Sequence, residues 1–140
     1  MDDRNTFPSW GRAWTLLCLA LAIHVADEAL TDFLGFWNPA VTAIRESVPW
    51  IPLPTFRFGT WLALLLAAVG ALLALGRYPF RGAVWMRPLS IAFALMMVAN
   101  GLGHLAISIY LGRLAPGVYS SPLLLLAAIH LWRSLPDRGS

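Results

Sequence analysis

His24, Asp27, Glu28, Thr31 and Asp32 recur at spacings of three and four residues in an otherwise apolar stretch. At about 100° per residue these five side chains share an arc of about 140° on one helical face. Val25, Ala26, Ala29, Leu30 and Phe33 cover the rest of the turn. An imidazole and a carboxylate four residues apart can exchange a proton or point at one metal ion. At bilayer depth each ionisable group costs about 2.5 to 3.5 kcal/mol on insertion scales, so such groups persist mainly where they line a protein interior. The stripe therefore points to an intramembrane site.

A second polar set, Asn100, His104 and Ser108, recurs every four residues in a later apolar stretch, again on one helical face. Gly101 and Gly103 beside it are expected to permit close helix approach. Counted from the starts of their apolar blocks, His24 and Asn100 are both about eleven residues in and Glu28 and His104 about fifteen, so at 1.5 Å per residue the pairs have matching depths. The expected site is His24, Asp27 and Glu28 facing Asn100 and His104 near mid-membrane, opening toward the outer side.

Three roles fit these residue types. In acid–base catalysis on a lipophilic small molecule (isomerisation, cyclisation or hydrolysis), Asp27 or Glu28 is the acid, His24 or His104 the base, and Asn100 a donor to developing charge. In a metal site, His24, Glu28 and His104 supply two imidazoles and a carboxylate, a recognised set for a divalent ion such as zinc or non-haem iron. Asn100 would then partner a ligating histidine. In the third role the polar residues hold helices together, support a homo-oligomer or line a small-solute path. Interhelical hydrogen bonds average only about 0.6 kcal/mol, a small return on inserting several ionisable groups, so enzymatic action on a hydrophobic molecule is favoured. Two histidines on one helix, the zinc-protease pattern, are absent.

The run His24-Val25-Ala26-Asp27-Glu28, then Asn100-Gly101-Leu102-Gly103-His104, Tyr110 and Pro116-Gly117 resembles the small bacterial integral membrane proteins named for a His-x-x-Glu-Glu motif. Asp27 stands where that family has its first Glu, a carboxylate of shorter reach. The resemblance implies a several-helix membrane domain with His24, Asp27, Glu28 and His104 at its functional centre, and brings no substrate with it.

The elements that must position these residues follow from composition. The chain has 140 residues, 59% of them apolar, and a mean hydropathy of +0.68, which places it among membrane proteins. Its net charge of +3 comes from ten arginines and no lysine. The arginines fall between apolar blocks, which gives a nucleic-acid partner no support. Cys18 is the one cysteine, so no disulfide forms within the chain, and a small buried hydrophobe is its expected role. Ala20-Leu21-Ala22 resembles a signal-peptide cleavage site, but Asp2 and Asp3 precede a short apolar core and cleavage would strip the polar stripe of its helix. The segment is retained as a span.

The expected architecture is all-α: one integral membrane domain, residues 1–140, formed by a four-helix transmembrane bundle. Its spans are approximately 13–36, 58–75, 89–111 and 118–135. The fourth is the shortest, with Pro122 near its start. The proline-rich segment from Trp37 to Arg57 is expected at the interface, over the mouth of the site. Arg4, Arg12, Arg77, Arg81, Arg87, Arg133 and Arg138 fall on one side, against Arg45, Arg57 and Arg113 on the other. The positive-inside rule then puts both termini of a cell-membrane protein in the cytoplasm. His130 is expected to be interfacial, Asp32 fits either the stripe or a solvated helix end, and the 58–75 span is expected to be scaffold.

Overall fold

The computed structural model describes residues 6–136. Asp2, Asp3, Arg4 and Arg138, used above for the leader and orientation arguments, lie outside the described residues. The fold is all-helical: α1 (Thr6–Leu30), α2 (Phe33–Ser47), α3 (Phe58–Leu75), the single turn α4 (Arg77–Phe80), α5 (Met86–Leu111) and α6 (Ser121–Arg133). Among the described residues, three segments are long and apolar enough to cross a membrane: Phe7–Leu30, Phe58–Phe80 and Met86–Leu111.

One periodicity organises the core. Along α1 the inward positions are Trp10, Trp14, Leu17, Leu21, His24 and Glu28, alternating by four and three residues as a packed helical seam requires. Along α5 the buried positions include Met86, Ser90, Phe93, Met97, Gly101 and His104, and along α6 they are Ser121, Leu124, Ala128 and Leu131. The ionisable residues thus continue the core faces of α1 and α5: one end of the interior is aromatic and aliphatic, the other is imidazole and carboxylate. At the apolar end the Trp10 indole donates to Ser90 Oγ at 3.1 Å and the Trp14 indole to the Leu72 carbonyl at 2.8 Å, which satisfies both buried N–H groups. Cys18 is fully buried among them.

α6 packs along both α5 and α1, while α3 and α4 pack on α1. At Gly101 an added Cβ would lie 2.9 Å from Leu125 Cγ, so the missing side chain brings α5 and α6 together. Gly103, expected to do the same, meets nothing within 4 Å. α3 buries only Trp61 and Val69 and leaves Leu64, Leu66 and Leu73 exposed, the surface a lipid-facing scaffold helix presents.

The structure corrects the four expected spans at three points. The first starts at Thr6 rather than 13 and stops at Leu30 rather than continuing to 36. Thr31 turns its hydroxyl back to the Asp27 carbonyl, and Asp32 takes a left-handed backbone (φ 56°, ψ 52°) and accepts from Gly35 N–H at the start of α2. Asp32 is thus a cap between two helices, exposed to its surroundings. The third helix begins at Met86, three residues before its expected start, with Pro88 in its first turn. The fourth begins at Ser121 instead of 118, with Pro122 in the first turn, and runs for 13 residues. At 1.5 Å per residue that is about 20 Å, short of the roughly 30 Å hydrocarbon layer. The segment expected at the interface begins as helix α2 and returns as extended chain. Trp37 donates to the Pro54 carbonyl, Asn38 exchanges two hydrogen bonds with Phe56, and Arg45 donates to the Leu53 carbonyl.

Candidate functional site

Glu28 is the hub. Its Oε1 lies 3.1 Å from His104 Nε2 and 3.6 Å from His24 Nε2, and the two imidazole rings meet edge to face at 4.8 Å. His24 is fully buried, and Glu28 and His104 are 6% and 7% exposed. The i, i+4 pair on α1 is local geometry; His104 arrives because its α5 position belongs to the inward face. The expected match in depth between Glu28 and His104 is therefore met. The three ligand atoms lie within 4.8 Å of one another. Ligands around a tetrahedral zinc at about 2.0–2.1 Å stand roughly 3.3 Å apart, close to the two separations at Glu28.

Behind His24 lies a chain of hydrogen bonds that the sequence reading did not include. Ser120 Oγ lies 2.8 Å from His24 Nδ1 and donates to Asp27 Oδ2 at 2.7 Å, while Ser120 N–H donates to the same oxygen at 2.8 Å. A hydroxyl carries one proton. With that proton on Asp27, Ser120 accepts from His24 Nδ1–H, and in the neutral imidazole Nε2 is left as a lone pair. This nitrogen faces Glu28 and has no hydrogen-bond partner among the described residues. Asp27, placed with the chemistry by its position in the stripe, is half-buried and acts on His24 through Ser120. Ser120 reads in sequence as a helix start, and it does occupy the N-cap of α6, yet its side chain makes no cap hydrogen bond.

The loop between α5 and α6 closes the site. Gly117 has φ +79°, and a Cβ there would lie 2.8 Å from His104 Cε1, 2.9 Å from Nδ1 and 3.1 Å from Glu28 Cγ. Only a residue without a side chain reaches this position unstrained. Gly117 N–H donates to Thr31 Oγ1 at 3.1 Å, Ser121 Oγ donates to the Gly117 carbonyl, and Ser108 Oγ accepts from Ala115 N–H. Thr31 and Ser108, found in sequence as members of polar faces, therefore hold the loop on the site.

Asn100 stands apart from the cluster. It lies one turn before His104 on α5, but its side chain makes no hydrogen bond with any described residue, and its Oδ1 is buried. With Glu28 and His104 it lines a cavity of about 390 Å³ whose other walls include Phe33, Trp37 and Val41 of α2. The expected pairing of Asn100 with a histidine is not formed. His130 is exposed near the end of α6 and takes no part in the cluster.

The family model described as a protein of unknown function with HXXEE motif matches residues 15–132, which include every residue of the cluster and its loop. No curated protein and no solved structure matches the chain.

Proposed function

The chain belongs to the family of proteins of unknown function with an HXXEE motif, and within it we propose an integral membrane enzyme that acts on a lipophilic small molecule at a divalent-metal centre held by His24, Glu28 and His104. The supporting observation is the buried His24 Nε2: it makes no hydrogen bond to any described residue, is set toward a carboxylate and a second imidazole, and belongs to a ring whose Nδ1 is held by Ser120 and, through it, Asp27. A lone pair facing a carboxylate in a buried site is repelled unless a cation, a proton or a metal ion, lies between them. Two imidazoles and one carboxylate leave coordination positions free for water or substrate, and such a centre supplies an activated water if zinc or a redox step if iron. The protein's own part is to hold the tautomer, exclude bulk water and present the open side to the cavity. Both termini are assigned to the cytoplasm of a multi-pass cell-membrane protein by the arginine count.

The deciding experiment is elemental mass spectrometry of protein purified under mild conditions, wild type against His24→Ala. Near-stoichiometric metal in the wild type that is lost in the variant supports the centre. A folded wild type that stays empty after reconstitution with zinc and with iron(II) ends the metal reading. It would leave acid–base chemistry, for which the carboxylate shared between two imidazoles at 3.1 and 3.6 Å is the supporting geometry.

Ser120→Ala separates this centre from a set of polar contacts between helices. It breaks the link from Asp27 to His24 without touching a ligand atom, and losses of about 10- to 100-fold in metal affinity are typical when such supporting partners are removed. Zinc titration of the folded variant, competed with a chelator of known affinity, reads this loss directly. Unchanged affinity would show that His24 needs no orienting partner.

A further inference from the structure

The 390 Å³ cavity beside the cluster falls in the range, about 300–1,000 Å³, that takes a drug-sized molecule. Its walls are dominated by side chains such as Phe33, Phe36, Trp37 and Val41 from α2 and Ile107 from α5, and its ionisable members are Glu28 and His104 alone. Ala99, which also lines it, is exposed halfway along the membrane-length α5. A mouth at that level opens sideways onto lipid rather than onto water. Outside the cluster the wall carries the amide of Asn100, whose buried Oδ1 has no hydrogen-bond partner among the described residues. Buried amide groups are as a rule paired, and an amide offers both a donor and an acceptor.

We propose that this cavity binds a neutral lipid alcohol from the bilayer, with its hydroxyl held by Asn100 and its apolar body against the aromatic face of α2. A hydroxyl is donor and acceptor at once and so complements an amide. A fatty carboxylate or phosphate would bring a negative charge beside Glu28 with no arginine in the wall to receive it. Asn100 is one turn from His104, about 6 Å along the helix, so the hydroxyl it holds is an anchor and a different part of the molecule reaches the cluster. Asn100 is thereby a specificity-determining residue. The proposal rests on the enzymatic reading above for what the cluster does to the molecule, while binding itself stands apart from the metal.

The test uses the full chain in detergent micelles, with 1-dodecanol and dodecanoate as probes, binding read by native mass spectrometry and zinc content measured on the same samples. The wild type is expected to bind 1-dodecanol about tenfold more tightly than dodecanoate. Asn100→Leu is expected to lose about tenfold on 1-dodecanol, the worth of one good buried hydrogen bond, with the zinc content of the wild type. Gly103→Phe fills the cavity from a position where an added Cβ meets nothing within 4 Å, and is expected to lose both probes while remaining folded. Equal binding of the two probes by the wild type, or 1-dodecanol binding unchanged in either variant, overturns the proposal. Asn100-dependent binding by a protein that holds no zinc supports it equally, and the metal reading is then decided by the reconstitution experiment above.

Discussion

Gly117→Ala is expected to lower zinc affinity by about 100-fold and to destabilise the protein by about 2–4 kcal/mol. Two costs add. An alanine at φ +79° is held in the left-handed region, and its Cβ would sit under 3.0 Å from two atoms of the His104 ring and 3.1 Å from Glu28 Cγ. Neither neighbour is free to yield, because His104 and Glu28 are the residues whose spacing defines the cluster. Denaturant unfolding in detergent reads the first cost and competitive zinc titration the second. Gly103→Ala is the control, since its Cβ enters open space on the same helix as His104; it should leave both quantities near wild type. Wild-type zinc affinity in Gly117→Ala would mean that the loop does not set the separation of the ligands.

Zinc itself should act as a stabiliser, and Glu28 should decide whether it can. A ligand that binds only the folded state adds about 4 kcal/mol to unfolding at a free concentration 1,000 times its Kd. Wild type should show that increase on titration with zinc and lose it on chelation. Glu28→Gln keeps the shape of the side chain but removes the anionic ligand, so its unfolding should be indifferent to zinc. The same pair of proteins tests the alternative in which these residues only join helices. In that case zinc would stabilise neither, and the substitution would act on stability alone by disturbing a buried ion pair, whose disruption costs about 3–5 kcal/mol.

His24, Glu28 and His104 were legible in the sequence because ionisable groups in a membrane-length apolar helix have few reasons to be there, and helical spacing puts them on one face. The extent of the apolar segment from 58 to 75 was equally plain, since no ionisable residue interrupts it and the helix observed has those limits. The break between α1 and α2 was hidden. Phe33, Leu34 and Phe36 continue the apolar pattern past Asp32, and only the left-handed backbone of that one residue redirects the chain. Ser120 was hidden for another reason: a serine two residues before a proline at a helix start has a sufficient local explanation, and its partners Asp27 and His24 are 93 and 96 residues away. Asn100 was legible as a member of the His104 face, but its place apart from the imidazoles was not. Its spacing from His104 fixes the face it occupies but not the open cavity between α2 and α5.

The loop that carries Gly117 and Ser120 also bears on the protein's birth. His24 and Glu28 leave the ribosome early, His104 much later, and the residues that fix His24 later still, just ahead of α6. Until Ser120 and α6 are in place, Asp27 and His24 Nδ1 lack the hydroxyl that joins them, although Glu28 already has His104. The cluster is therefore complete only after the loop between α5 and α6 has been made and inserted, and a truncation before residue 117 should yield a product that the cell's quality control removes.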